Sequence, residues 1–174
     1  MAQLSEYCED LKTTDELDSL TQLTARYLGL FMPSAVCALY RHDVEADLLV
    51  CAGVGGDDTR ALRNLTIRRG DKISGWAAAN DTTIANSDAC LDLGRLAEDF
   101  SPRLRSALST PMKQGDRLVG VLTVYATEVH PFGDDHKYLA ERVAELLTPR
   151  FSVLMDRPVT TSRTLDRTPV SAER

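Results

Sequence analysis

The sequence contains no apolar run approaching the ~18 residues that a membrane-crossing helix needs. Its first residues, Met1 to Glu6, carry neither the basic nor the apolar segment of a secretory leader. The four cysteines, Cys8, Cys37, Cys51 and Cys90, form no C-x-x-C pair; Cys37 and Cys51 lie in apolar runs and read as small buried hydrophobes. A reducing, cytoplasmic setting is the expectation. Positive charge is short as well. A net charge of −6 denies the chain the basic face that nucleic acid binding requires, so no such partner is expected. There is no G-x-S-x-G elbow. Gly53-Val54-Gly55-Gly56 lacks the Lys-Ser/Thr of a phosphate loop and reads as a loop breaker. His42, His130 and His136 fall at expected loops or helix ends, and no His/Cys/acid set has metal-ligand spacing. Asp57-Asp58 and Asp134-Asp135 read as solvated caps. Neither a catalytic residue nor a metal site is expected.

What is present suits one globular domain. The chain has 174 residues, of which 43% are hydrophobic and 26% charged, enough to bury a core without disulfide or metal support. Thr13 and Glu16 have capping-box spacing, and Leu17, Leu20, Leu23, Thr24, Tyr27, Leu28 and Phe31 then share one helical face. Pro33 stops that helix, and residues 1–12 read as a shorter one. Ala35–Tyr40 is apolar on both alternating faces, as an inner strand would be. His42, Asp43 and Glu45 make a turn, and a second strand runs from Leu48 to Ala52. A short strand at 65–67, a helix at 73–80 and an extended run at 82–85 follow, then a loop with a helical turn at 88–100. Arg105–Met112 and Leu118–Ala126 form a hairpin about Lys113-Gln114-Gly115-Asp116; the second of these strands is apolar on both faces and therefore central. A last helix starts after Pro131-Phe132-Gly133, and Pro149 kinks or ends it. The order is that of an α+β fold, an antiparallel sheet covered by helices. The domain is expected over residues 1–155, with 156–174, rich in Arg, Ser and Thr, as a tail or linker.

Five segments carry a resemblance to the GAF family, in order, over about residues 14–150. Gly70-Asp71-Lys72-Ile73-Ser74-Gly75-Trp76-Ala77-Ala78 is similar to that family's helix entry, and Ile84-Ala85-Asn86-Ser87-Asp88 to its pocket strand. Arg105-Ser106-Ala107-Leu108-Ser109-Thr110-Pro111-Met112, Gly120-Val121-Leu122 and Phe132-Gly133-Asp134-Asp135 resemble its remaining motifs. The resemblance implies a GAF/PAS-like sheet of about six strands between N- and C-terminal helices. It also implies a small-molecule pocket whose candidates here are Trp76, Asn86, Asp88, Leu93, Phe100, Ser106 and Leu108. The family often carries an aromatic at the position of Trp76 for packing, and core is the favoured reading there; Asn86 and Asp88 could satisfy loop backbone groups instead.

The specialised branches of the family fit poorly. The Asn-Lys…Phe…Asp-Glu pattern of cyclic-nucleotide binders is incomplete here. The cysteines lack the adjacent His of bilin binders, and Ser74 stands where the methionine sulfoxide reductases carry a cysteine. No cofactor is assigned. The resemblance implies a non-catalytic sensory module that binds a small molecule, dimerises through its terminal helices, or both. Such modules control outputs such as diguanylate cyclases, HD-type phosphohydrolases and histidine kinases. The alternatives are a protein-interaction module whose pocket is filled by its own side chains and, last, the reductase.

Overall fold

Leu20, Thr24, Tyr27 and Leu28 recur at helical spacing, and all four are buried along α2 (Leu17–Gly29). The computed structural model describes residues 2–56 and 60–157. In it α1 (Ala2–Thr13) packs against α2, with the Tyr7 ring stacked on Tyr27 at 4.5 Å and its hydroxyl 3.1 Å from Thr24 Oγ1. The expected capping box does not form. Thr13 instead ends α1, where its hydroxyl and that of Thr14 bond the Asp10 carbonyl at 3.1 and 2.7 Å, and Glu16 is the uncapped start of α2. Two helices meet at this corner, so the threonines serve the end of the first and not the start of the second.

The strands are β1 (Val36–Asp43), β2 (Leu48–Gly56), β3 (Thr66–Arg68), β4 (Ile84–Asp88), β5 (Ser106–Gln114) and β6 (Arg117–Ala126). They form one sheet in the order β3-β2-β1-β6-β5-β4, every pairing antiparallel. The two runs that are apolar on both faces, β1 and β6, lie side by side at its centre. The hairpin turn falls where expected, with Gly115 at φ 60°. His42 and Asp43 remain in β1, and β2 runs on through Gly53–Gly55, where a break was expected. The reason is close packing: a Cβ on Gly55 would lie 2.7 Å from both Ala25 Cβ and the Thr21 carbonyl of α2. These glycines admit the helix and do not interrupt the strand.

Both faces of the sheet are covered. Leu39, Leu108, Met112, Leu122 and Val124 face α1, α2 and α5 (Asp134–Met155). Helix α5 continues through Pro149, and the Gly133 N–H at its start donates to His136 Nδ1 at 3.1 Å. On the other face Ala38, Tyr40, Ala107, Val121 and Tyr125 lie under α3 (Lys72–Asn80), α4 (Cys90–Leu93) and a 3-10 turn at Gly94–Glu98. Gly75 brings α3 against the Arg68 carbonyl, and Gly120 brings β6 against that of Tyr40. Beyond α5, Arg157 Nη1 donates to the Asp15 carbonyl at 3.0 Å. The rest of the expected tail, 158–174, lies outside the described residues. Among the described residues no helix is long and apolar enough to cross a membrane.

Candidate functional site

A helix leaves its first backbone N–H groups without partners, and its dipole favours negative charge there. Asp71, at the N-cap of α3, makes no side-chain capping bond. The acceptor comes instead from α4, a single turn in which Leu91 faces outward and Asp92 and Leu93 face inward. Asp92 is 0% exposed. Its Oδ1 accepts the N–H groups of Ile73 at 2.8 Å and Ser74 at 3.1 Å, and its Oδ2 accepts the hydroxyls of Ser74 at 2.5 Å and Tyr125 at 3.0 Å. Lys72 Nζ reaches the Asp92 backbone carbonyl at 3.0 Å.

The network spreads across the sheet. Because the Tyr125 hydroxyl donates to Asp92, the Tyr40 hydroxyl, 2.7 Å away, must donate to Tyr125. Burial, with Cys51 and Asp92 nearby, holds the Tyr40 phenol well above the usual range; burial, with Tyr40 and Asp92 nearby, does the same for Tyr125. Both stay protonated, as donors must. Ser109 and Thr123, cross-strand partners on β5 and β6, complete the cluster. Thr123 Oγ1 is 2.8 Å from Ser74 Oγ and 2.9 Å from Ser109 Oγ. All six side chains are buried. The interior between the sheet and α3–α4 thus holds an anion on a helix N-terminus, and the chain itself supplies that anion.

The sequence-derived candidates do not converge on this interior. Trp76 points outward, 46% exposed, on the far side of α3. Leu93 is buried and Phe100 half-buried in the core beside the network. Leu108 lies on the opposite face, in the core formed with α5. Ala107, not Ser106, faces the α3–α4 side. Ser106 Oγ donates to the Glu128 carbonyl at 2.7 Å. Asn86, at φ 60°, grips Phe132 twice: its Nδ2 donates to the carbonyl at 2.7 Å and its Oδ1 accepts the N–H at 2.9 Å. Asp88 Oδ1 accepts the Cys90 N–H at 2.9 Å. Asp92, Ser109, Thr123 and the two tyrosines were not singled out by sequence. The available signal was polar residues set in otherwise apolar segments.

Asn86, Asp88 and Ser106 do meet at a separate pocket of about 310 Å³ at the β4–β5 edge, which Arg103, Arg105 and His130 also line. An open groove of about 550 Å³ runs between α1 and α5, lined by Leu11, Leu146, Pro149 and Val153 with Lys12 and Arg150. Burial pushes the thiols of Cys37 and Cys51 up to about 12, and Cys90 is also raised, chiefly by burial and by its bond with Asp88.

Comparison with known proteins agrees with this architecture. The sequence pattern of the GAF domain matches residues 16–148, well over half of the chain. Among solved structures, the GAF domain of an Acinetobacter phosphoenolpyruvate-protein phosphotransferase superposes with a TM-score of 0.73 at 13% identity, over 88% of this chain and 93% of that one. Free methionine-R-sulfoxide reductase from Neisseria meningitidis, in complex with its substrate, gives 0.68 at 24% identity, over 87% of each chain. The chromophore-binding domain of a bacteriophytochrome from R. palustris gives 0.64 at 14% identity, over 88% of this chain and 60% of that one. At these identities the likeness concerns the fold alone. No curated protein matches the sequence.

Proposed function

Since the chain belongs to the GAF domain family, a family of sensory and regulatory domains, we propose that it is a non-catalytic cytoplasmic regulatory module acting through protein association, its interior filled by its own side chains. The observation that carries this reading is the Asp92 network. A carboxylate, two phenols and three hydroxyls occupy the space between the sheet and α3–α4, with every Asp92 oxygen engaged. A ligand entering there would have to displace four hydrogen bonds to a fully buried charge, and a charge-assisted bond is worth about 1.5–3 kcal/mol. The raised thiols of Cys37, Cys51 and Cys90 favour the non-catalytic reading at those three positions.

Association runs through the terminal helices in this reading, and the partner is a second copy of the chain. Leu139, Leu146 and Val153 recur every seven residues along α5 and so lie along one side of the helix. Val153 is half exposed beside the α1–α5 groove. Lys12 and Arg150 flank the groove, Lys12 paired with Glu9 and Arg150 with Asp15. The module would in turn govern a signalling output of the cyclase, phosphohydrolase or kinase kind. Sedimentation tests the association: the chain should be dimeric at micromolar concentration and Leu146→Glu monomeric with an unchanged circular dichroism spectrum. A Leu146→Glu protein that sediments like the parent contradicts the face proposed. Methionine sulfoxide turnover that depends on Cys90 would contradict the non-catalytic reading.

A further inference from the structure

The β4–β5 edge pocket is a built feature, separate from the filled interior. Leu104 is 1% exposed, while Arg103 and Arg105 on either side of it are both exposed and both line the pocket. That backbone is fixed at three points. Leu104 N–H donates to the Ala97 carbonyl at 3.0 Å, Arg105 N–H to that of Ala126 at 2.8 Å, and Ala89 N–H to that of Arg105 at 3.2 Å. The opposite wall, which carries Val129 and His130, is equally tied, by Ser106 on Glu128 and by Asn86 on Phe132.

Neither guanidinium forms an ion pair among the described residues. Two acids lie close by. Asp88 lines the pocket with one oxygen spent on the Cys90 N–H, and Glu98 lies near enough to act on the Cys90 thiol. Two unpaired guanidinium forks on a fixed backbone, beside an imidazole, suit a planar or tetrahedral oxyanion that takes paired N–H bonds. A volume of about 310 Å³ is of the size that holds a small metabolite. We propose that this pocket binds a small organic dianion, a phosphomonoester or a dicarboxylate, held by Arg103 and Arg105 with His130 at the rim.

Calorimetry on the full chain at fixed ionic strength, titrating inorganic phosphate and succinate separately against a chloride control, tests the site. At least one should bind saturably. The Arg103→Gln/Arg105→Gln variant should bind it at least tenfold more weakly. Asp88→Asn keeps an oxygen for the Cys90 N–H but loses the charge, so it should bind several-fold more tightly. Arg142→Gln, on the exposed side of α5, should leave affinity unchanged. Binding of phosphate alone identifies a phosphomonoester site, and binding of succinate alone a dicarboxylate site. No saturable binding below about 10 mM, or binding that the double variant leaves intact, overturns the proposal. Either failure leaves the sedimentation result for the terminal helices standing.

Discussion

Replacing Asp92 with alanine should cost a large part of the stability of the domain. The substitution strands the N–H groups of Ile73 and Ser74 and the hydroxyl of Tyr125, all buried. Each such orphan costs about 1–3 kcal/mol. The Ser74 hydroxyl escapes this penalty, since it can turn to Ser109 or Thr123. Relief of the carboxylate's own desolvation offsets part of the loss. The expected net cost is about 3–5 kcal/mol, against a typical total of about 5–15 kcal/mol, or a melting temperature roughly 10 °C lower. Asp92→Asn keeps one acceptor oxygen but turns an amide donor toward hydroxyls that are themselves donating, so it should cost about 2 kcal/mol. Urea unfolding at neutral pH, with the slope checked for constancy, reads both values. The exposed neighbour Leu91→Gln is the control and should stay within about 0.5 kcal/mol of the parent. If Asp92→Ala unfolds within about 1 kcal/mol of the parent, the network does not organise the α3–α4 face and the reasoning fails.

Two further outcomes follow from packing and burial. Gly120→Ala would press a methyl group into the Tyr40 carbonyl and to 3.1 Å from Met112 Cε; it should destabilise by about 1–3 kcal/mol. Gly29→Ala, which meets nothing within 4 Å, should be near neutral in the same urea assay. Cys37 and Cys51 are held at about 12 in the fold against an ordinary 9.0. Below pH 9 both states keep the thiol proton and the stabilising contribution is whole. Between 9 and 12 only the unfolded chain releases it, so stability falls by up to about 1.4 kcal/mol per pH unit and thiol. Urea midpoints from pH 8 to 10.5 in reductant should fall less steeply for Cys37→Ala/Cys51→Ala; parallel slopes in the two proteins would refute this assignment.

The elements of the fold were legible because they rest on local periodicity. Apolar alternation on both faces placed β1 and β6 at the sheet centre, and Gly115 marked the hairpin. The errors have a common origin in tertiary contact. Thr13 and Glu16 have the spacing of a helix start, yet a second helix ends there. Gly53–Gly55 look like a break until α2 is laid across them. The candidate site was less legible for the same reason. Alternation along β5 puts Ser106 and Ala107 on opposite faces but does not say which of the two faces α3. Asp92 lies 18 residues from Ser74 and 33 from Tyr125, so no pattern of spacing joins them. Only the presence of Asp, Ser and Thr inside apolar runs hinted that a polar cluster had to close somewhere.

The order of the sheet has a consequence for how the chain reaches this state. Strands β1-β2-β3 and β4-β5-β6 are two antiparallel meanders, each close-knit along the sequence, and they join only where β1 meets β6. That one ladder demands closure of the longest loop in the sheet, which makes it the entropically costly step. The polar cluster straddles the same seam, with Tyr40 on one meander and Thr123 and Tyr125 on the other. It therefore ties the two halves together across the seam, and its bonds form only when both halves are in place.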